Sequence, residues 1–383
     1  MSSAPESASA STDAGREVLV VGAGISGLAC ARTLHDAGIA VRVVDRGRVP
    51  GGRLATKRVE GRPADIGARY FTVPEDSAFE ALVTSWRRRG LVREWTDTFS
   101  ALTVGDSGAV VSRELKTGPM RYAATAGLRS LAADLAAALE SDGVAIELTH
   151  EVSAVEVAEA ADSTGATDAT AAVGAAGAVG AAGAAGVAGR GVVVDGSEFE
   201  AVVLAVPDPQ AGRMLSPGSP AREELSGADA WEPTLSVVLT YDERRWPSEL
   251  HGAFVDGSPV LAFVADDGDR QGDGAPVLVA HTTGDFAREH LEHPETAAGA
   301  VVEAVRALLE LEVAPVSAVV HRWTFANPSR QHAEPFGLFG AVGVCGDAWG
   351  ERSSVSTAWA SGDALGRELG RRLGAGGGLP ASA

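Results

Sequence analysis

The chain is short of cysteine, lysine and tyrosine, and each shortage narrows what it can be. Two cysteines, Cys30 and Cys345, in 383 residues are too few for a disulfide framework or a thiolate metal cluster. Both sit in apolar runs where a thiol reads as buried, so no metal site is expected. Lysine occurs only at Lys57 and Lys116, and tyrosine only at Tyr70, Tyr122 and Tyr241. A basic excess is missing as well. Thirty-two Lys and Arg against 51 Asp and Glu give a net charge of −19, which argues against nucleic acid and anionic membranes as partners. Residues 171–189 are uncharged over the length of a membrane span, but they hold only Ala, Gly and Val, without the Leu, Ile or Phe that drives insertion. Glycine recurs there at every third position from Gly174 to Gly189, yet the proline of a collagen repeat is absent. The opening MSSAPESASASTDAG lacks the basic and apolar regions of a signal peptide. It predicts a disordered tail over 1–15 and a cytoplasmic protein.

What is present is concentrated in residues 18–53, VLVVGAGISGLACARTLHDAGIAVRVVDRGRVPGGR. An apolar strand meets a turn with glycines at 22, 24 and 27; an amphipathic helix follows, then a second strand ending at Asp45. Gly22 makes the turn, Gly24 lets backbone approach a pyrophosphate, and Gly27 lets helix and strand pack closely. The helix N-terminus presents N–H groups and a positive dipole end to phosphate. Asp45 stands where a carboxylate accepts from a ribose diol. The continuation, Gly51-Gly52-Arg53 and then Asp65-Ile66-Gly67-Ala68-Arg69-Tyr70-Phe71, points to FAD. An NAD dehydrogenase has no need of the arginine, whereas a flavin enzyme must hold a second phosphate and the isoalloxazine.

The remaining segments predict an α/β protein of two domains. Residues 151–158 and 191–196 alternate like the two arms of a hairpin around a flexible Ala/Gly insertion at 159–190. Such a tip costs little closure entropy. The run 199–207, closed by Pro207, reads as a buried parallel strand; 341–350 repeats the pattern and 354–373 forms a last helix. A discontinuous nucleotide-binding domain is expected over 16–72, 122–210 and 336–372. A second domain is expected over 73–121 and 211–335, with a tail at 373–383.

The motifs GGRLATKR, DIGARYFT, AVVLAVP, HRWTFA (321–326) and VCGDAWG…STAWASG resemble the renalase-like branch of the flavin amine oxidase superfamily over roughly residues 16–370. The resemblance implies a Rossmann-type FAD-binding domain with an α+β substrate domain, an amine-oxidase/p-hydroxybenzoate-hydroxylase-like two-domain flavoprotein. FAD would be held noncovalently. It implies that Gly22, Gly24 and Gly27 cradle the pyrophosphate and Asp45 binds the adenosine ribose. Arg53 would meet the phosphates or the flavin edge, the Val152 backbone the adenine, and Asp347 the pyrophosphate–ribityl region. The amides of Val355, Ser356 and Thr357 would face the flavin N1/O2 locus. Ser26, Arg46, Gly52, Ala68, Arg69 and Gly346 complete the expected cofactor set.

Pocket candidates are Arg69, Arg322, Trp323, Trp349 and Trp359, while His281 and His321 read as lone histidines at strand ends. Arg69 stands where relatives commonly carry Gln. It would raise the flavin potential, pair with an anionic substrate, or turn toward an acidic neighbour. The family's N5-bridging lysine and paired C-terminal tyrosines have no counterpart, which favours the renalase-like branch. That branch implies hydride transfer to flavin N5 from an isomeric dihydronicotinamide dinucleotide, with O2 as acceptor giving H2O2. Two other readings stay open: an amine oxidase or dehydrogenase, and a non-catalytic FAD-binding sensor.

Overall fold

The computed structural model describes residues 17–157 and 191–374. The expected tail at 1–15, the insertion at 159–190 and nearly all of the tail at 373–383 lie outside them. The chain opens with β1 (Val18–Val21), α1 (Ile25–Asp36) and β2 (Val41–Asp45), then a short hairpin, β3 (Thr56–Val59) and β4 (Arg62–Asp65). There follow α2 (Ala78–Arg88), the long hairpin β5 (Val92–Val104) and β6 (Val110–Ala124), α3 (Arg129–Ser141) and β7 (Ala145–Leu148). Next come β8 (Val155–Val157), β9 (Val192–Val194), β10 (Ser197–Phe199), β11 (Ala201–Leu204), α4 (Asp208–Met214) and α5 (Pro220–Glu224). The second half holds β12 (Trp231–Thr240), β13 (Gly252–Asp256), β14 (Leu261–Asp266), α6 (Asp267–Gln271), β15 (Val277–Thr282), α7 (Gly284–Glu289) and α8 (Ala298–Leu309). It closes with β16 (Ser317–Pro328), β17 (Gly337–Phe339), β18 (Val342–Val344) and α9 (Val355–Gly374).

Two sheets organise these elements. The first runs β17-β18-β11-β1-β2-β7, parallel except at β17. β1 and β11 are buried along their whole length, as unalternating Val-rich strands must be when helices cover both faces. β8 and β9 pair antiparallel, Val155 opposite Val194, so the two arms flanking 158–190 do form a hairpin. α9 lies on α1 through a ladder of glycines. A Cβ on Gly362 would fall 1.9 Å from Ser26 O, and one on Gly366 2.9 Å from Cys30 O. Each glycine costs about 1 kcal/mol of helix propensity, which the close backbone approach offsets.

The second sheet runs β16-β12-β15-β14-β13-β5-β6. One face packs Val237, Leu239, Leu278 and Ala280 on Val301, Val305 and Leu308 of α8. The opposite face, with Ser236, Val238, His281 and Trp323, meets the loop that follows β4. Two stretches depart from the expected division. α2, within 73–121, packs Phe79, Val83 and Trp86 into the same core as β1 and α1. Tyr122–Ala124 belong to the second sheet's edge strand.

Candidate active site

At the first turn the three glycines separate into two jobs. Gly22 has φ +113, and a Cβ there would lie 2.6 Å from Ala205 O; on Gly27 it would lie 2.0 Å from Gly22 O. These two glycines serve the fold. Gly24 has an unstrained extended backbone, φ −78 and ψ 175, and caps α1 without a side-chain hydrogen bond. A Cβ there would meet nothing within 4 Å. That opening, before an uncapped helix N-terminus, has the shape and polarity a phosphate requires. Asp45 accepts from Ala23 N–H and Gly47 N–H, both at 2.6 Å. It clamps β2 to the turn while each oxygen keeps a lone pair. His150 N–H reaches Asp45 O at 2.9 Å, bringing in the segment with buried Val152. Among the described residues neither Val152's amide nor its carbonyl takes a partner. Arg46 is exposed.

The second glycine turn faces the first. Gly51 N–H donates to Ala23 O at 2.9 Å, and a Cβ on Gly52 would sit 3.4 Å from Gly24 Cα. Arg53 Nη2 lies 2.5 Å from Asp347 Oδ1, and its guanidinium lies 5.3 Å from the Trp231 ring centre. Arg53 Nη1 is buried without a hydrogen-bond partner, and Asp347 Oδ1 is engaged only by this ion pair. Ser353 Oγ donates to the other Asp347 oxygen at 2.5 Å. A buried guanidinium N–H left without a partner beside an open glycine turn fits a bound group rich in phosphate and hydroxyl, as FAD is.

The third component is the loop after β4. It is pinned to the second turn: Ala68 N–H donates to Arg53 O at 2.8 Å, and a Cβ on Gly67 would fall 2.0 Å from Arg53 O. It is pinned equally to the second sheet. Ile66 O accepts from Ser236 Oγ at 2.6 Å and Trp323 Nε1 at 2.7 Å. Gly67 O accepts from His281 Nε2 at 3.2 Å. Beneath it Arg270, 0% exposed, donates to Asp267, to Arg69 O and to Asp65 O. The Asp65 carboxylate takes Thr56, the Leu128 amide and Gln271. Burial, with Arg69 and Arg270 nearby, pushes His281 well below the usual histidine range. Burial, with Lys57, Arg129 and Arg322 nearby, lowers His321.

Several expected site residues sit elsewhere. Arg322 is exposed and donates to Leu291 O at 2.6 Å. Consecutive strand residues point to opposite faces, so Trp323 takes the inner face and Arg322 cannot. Trp349 is buried, stacked 3.8 Å from His332, and lines a separate 320 Å³ cavity with Phe336 and Phe339. Trp359 packs 5.6 Å from Phe79, between α9 and α2. Ser26 is buried in α1, its carbonyl packed beneath Gly362. Ser354 Oγ accepts from Thr357 N–H at 3.0 Å, which leaves Val355 and Ser356 as the amides at that end of α9. Gly346 N–H goes to Ser361 Oγ at 3.0 Å. Trp231, Phe263 and Arg121 were not foreseen, because what places them is cross-strand packing. Both thiols are buried; burial raises Cys30 and pushes Cys345 up to about 12. No described group of His, Cys, Asp and Glu could hold a metal, and no described helix is long and apolar enough to cross a membrane.

Comparison with known proteins identifies the arrangement. A profile for NAD(P)-binding Rossmann-like domains matches residues 20–86, and one for flavin-containing amine oxidoreductases matches residues 91–363. Among curated proteins, polyamine oxidase 1 of Oryza sativa subsp. japonica is 38% identical over 27% of this chain. A hydroxyneurosporene desaturase of Rubrivivax gelatinosus is 45% identical over 15% of it. The matches cover 22% and 11% of those relatives. Putrescine oxidase, solved with putrescine bound, superposes with a TM-score of 0.65 at 16% identity over 94% of this chain and 99% of that one. Cyclohexylamine oxidase from Brevibacterium oxydans gives 0.67 at 14% identity over 94% and 100%; at such identities the likeness concerns the fold. The chain belongs to the flavin-containing amine oxidoreductase family and is an FAD-dependent oxidoreductase.

Proposed function

We propose that the chain is an oxidase of a small reduced substrate, an isomeric dihydronicotinamide dinucleotide, with O2 as final acceptor. One observation supports this reading. Where the loop after β4 meets the second sheet, every described carboxylate is already engaged and the other groups are cationic or neutral. Asp65 and Asp267 hold Thr56, Gln271, Arg62 and Arg270; Asp347 holds Arg53 and Ser353. An amine arrives as an ammonium and must lose a proton, so it needs an acceptor or base here. His281 is a poor base, with burial and two guanidiniums opposing its charge. Lys116 is exposed beside Glu114 at 3.8 Å.

A dihydronicotinamide makes no such demand. Its C–H bond breaks with both electrons leaving as hydride, and a pyridinium cation remains. Bound FAD supplies the acceptor for that hydride and the relay to O2, which takes two electrons and two protons to become H2O2. In this reading Gly24, Asp45 and Val152 hold the adenosine diphosphate end of FAD, in a turn that Gly22 and Gly27 shape. Gly52, Arg53, Asp347, Val355 and Ser356 hold the flavin end. The chain orients the donor and excludes water through Trp323, Phe263 and the rigid 65–70 loop. Amine oxidation is the second reading, favoured by the family match and the polyamine oxidase relative. Anaerobic mixing with 2- and 6-dihydroNAD(P), ordinary NAD(P)H and an amine panel separates the two. Rapid bleaching by the isomeric dinucleotides is expected. Bleaching by an amine alone overturns the proposal.

A further inference from the structure

Three arginines around the junction of loop and sheet have acidic partners: Arg53 with Asp347, Arg62 with Asp267 and Asp273, Arg270 with Asp267. Arg69 does not. Among the described residues its guanidinium makes no ion pair and no hydrogen bond, in a chain with 51 acidic residues to 32 basic ones. It is only partly exposed and lies 5.0 Å from the centre of the Phe263 ring, itself 0% exposed and 6.1 Å from His281. A second guanidinium shares the platform. Arg121, 9% exposed, lies 4.1 Å from the centre of Phe99, and Phe99 and Phe263 are 5.5 Å apart. Arg121 donates to Asp97 O at 2.6 Å, while its Nε has no partner and it forms no ion pair among the described residues.

Two guanidiniums over adjoining rings, without counter-charge, are costly in a chain that could easily supply one. Cation–π contact offsets only part of the desolvation. The Arg69 backbone is also held fast, its carbonyl accepting from Arg270 Nη1 at 2.9 Å, so the side chain is presented on a rigid support. We infer that Arg69, seconded by Arg121, is the docking point for an oxyanion of the substrate, a phosphate or carboxylate group that supplies the missing negative charge. This rests on the proposed reaction only in placing the substrate at this junction. The fork of a guanidinium suits either oxyanion through paired N–H donors. The acidic excess elsewhere disfavours non-specific anion binding, which confines the attraction to this pair of arginines. Burial lowers the Arg69 pKa, in keeping with a cation held without its counter-charge.

The test is equilibrium binding of pyrophosphate and, separately, benzoate to the FAD-loaded enzyme, read by calorimetry and by the flavin difference spectrum. Pyrophosphate binding alone identifies a phosphate site; benzoate binding alone identifies a carboxylate site. Arg69→Gln should weaken the bound anion about 10- to 100-fold per molecule of FAD-loaded enzyme, as expected for charge-assisted hydrogen bonds. Arg69→Lys, which keeps the charge without the paired donors, should retain only part of the affinity. Arg121→Gln, which guards against a folding failure of the first variant, should weaken the anion several-fold. Wild-type affinity in both Gln variants, or no binding of either anion by the wild type, overturns the inference. Kinetics separate it from the reaction. A raised KM for the dinucleotide in Arg69→Gln with kcat little changed supports both. Lost anion binding with no dihydronicotinamide oxidised by the wild type removes only the reaction. Oxidation with an unchanged KM in Arg69→Gln removes only the docking role.

Discussion

Gly24 and Gly27 stand in one turn, yet Ala should do opposite things at the two. At Gly24 the backbone is already in a region open to any L-residue, and a Cβ meets nothing within 4 Å. Gly24→Ala gains about 0.4–1 kcal/mol from a less flexible unfolded chain. It loses a comparable amount because Ala is a poorer N-cap than Gly. The protein itself should therefore change by less than about 1 kcal/mol. The methyl group, however, enters the space through which a pyrophosphate would approach the α1 amides. Each hydrogen bond to a charged group is worth roughly 1.5–3 kcal/mol, so losing one raises the Kd for FAD roughly 10- to 100-fold. At Gly27 a Cβ would sit 2.0 Å from Gly22 O, more than 1 Å inside ordinary contact. Gly27→Ala should cost about 1–3 kcal/mol or more as an overpacking defect. The assay is FAD-to-protein ratio and FAD titration for both variants, with denaturant unfolding alongside. Gly24→Ala retaining FAD at wild-type affinity would refute the placement of the phosphates at this turn.

Two further outcomes follow from buried charge. Arg270→Met strips Asp65 and Asp267 of a cation that is 0% exposed, and should cost about 3–5 kcal/mol in denaturant unfolding; a loss under about 1 kcal/mol would show that water or Arg62 replaces it. His281 is held below its unfolded pKa, so below about pH 6.5 the unfolded chain binds a proton that the folded one refuses. Stability should therefore fall as pH drops from 6.5 to 5.5, this residue contributing up to about 1.4 kcal/mol per unit. His281→Gln should flatten that slope, and an unchanged slope would mean the imidazole is charged in the folded state.

How much of this was legible in the sequence depended on how local the cause was. The unit from Val18 to Arg53 is one contiguous βαβ piece whose turn, helix and acid interact over a few dozen residues, and it folds as read. The hairpin around 158–190 was equally readable, since alternation in two short arms implies pairing whatever lies between them. The glycines of α9 carried a signal too, Gly362, Gly366 and Gly370 at four-residue spacing. What that spacing could not give was the partner, because Ser26 and Cys30 lie far away in the chain.

The surroundings of the expected pocket residues were less legible, for reasons that differ by residue. Arg322 and Trp323 both suit a site lining by residue type, but adjacent residues of a strand do not share a face. Trp349 and Trp359 fill gaps between helices and loops, the commoner use of a large apolar ring. For Arg69 the sequence left three roles open, and the choice among them depends on the absence of a neighbour. The acids that might have paired with it are drawn off by other arginines: Asp267 by Arg62 and Arg270, Asp347 by Arg53. Arg270 and Asp65 meet across 205 positions. An unpaired charge is thus a property of the whole network, and only the fold can show which cation the network leaves over for a ligand.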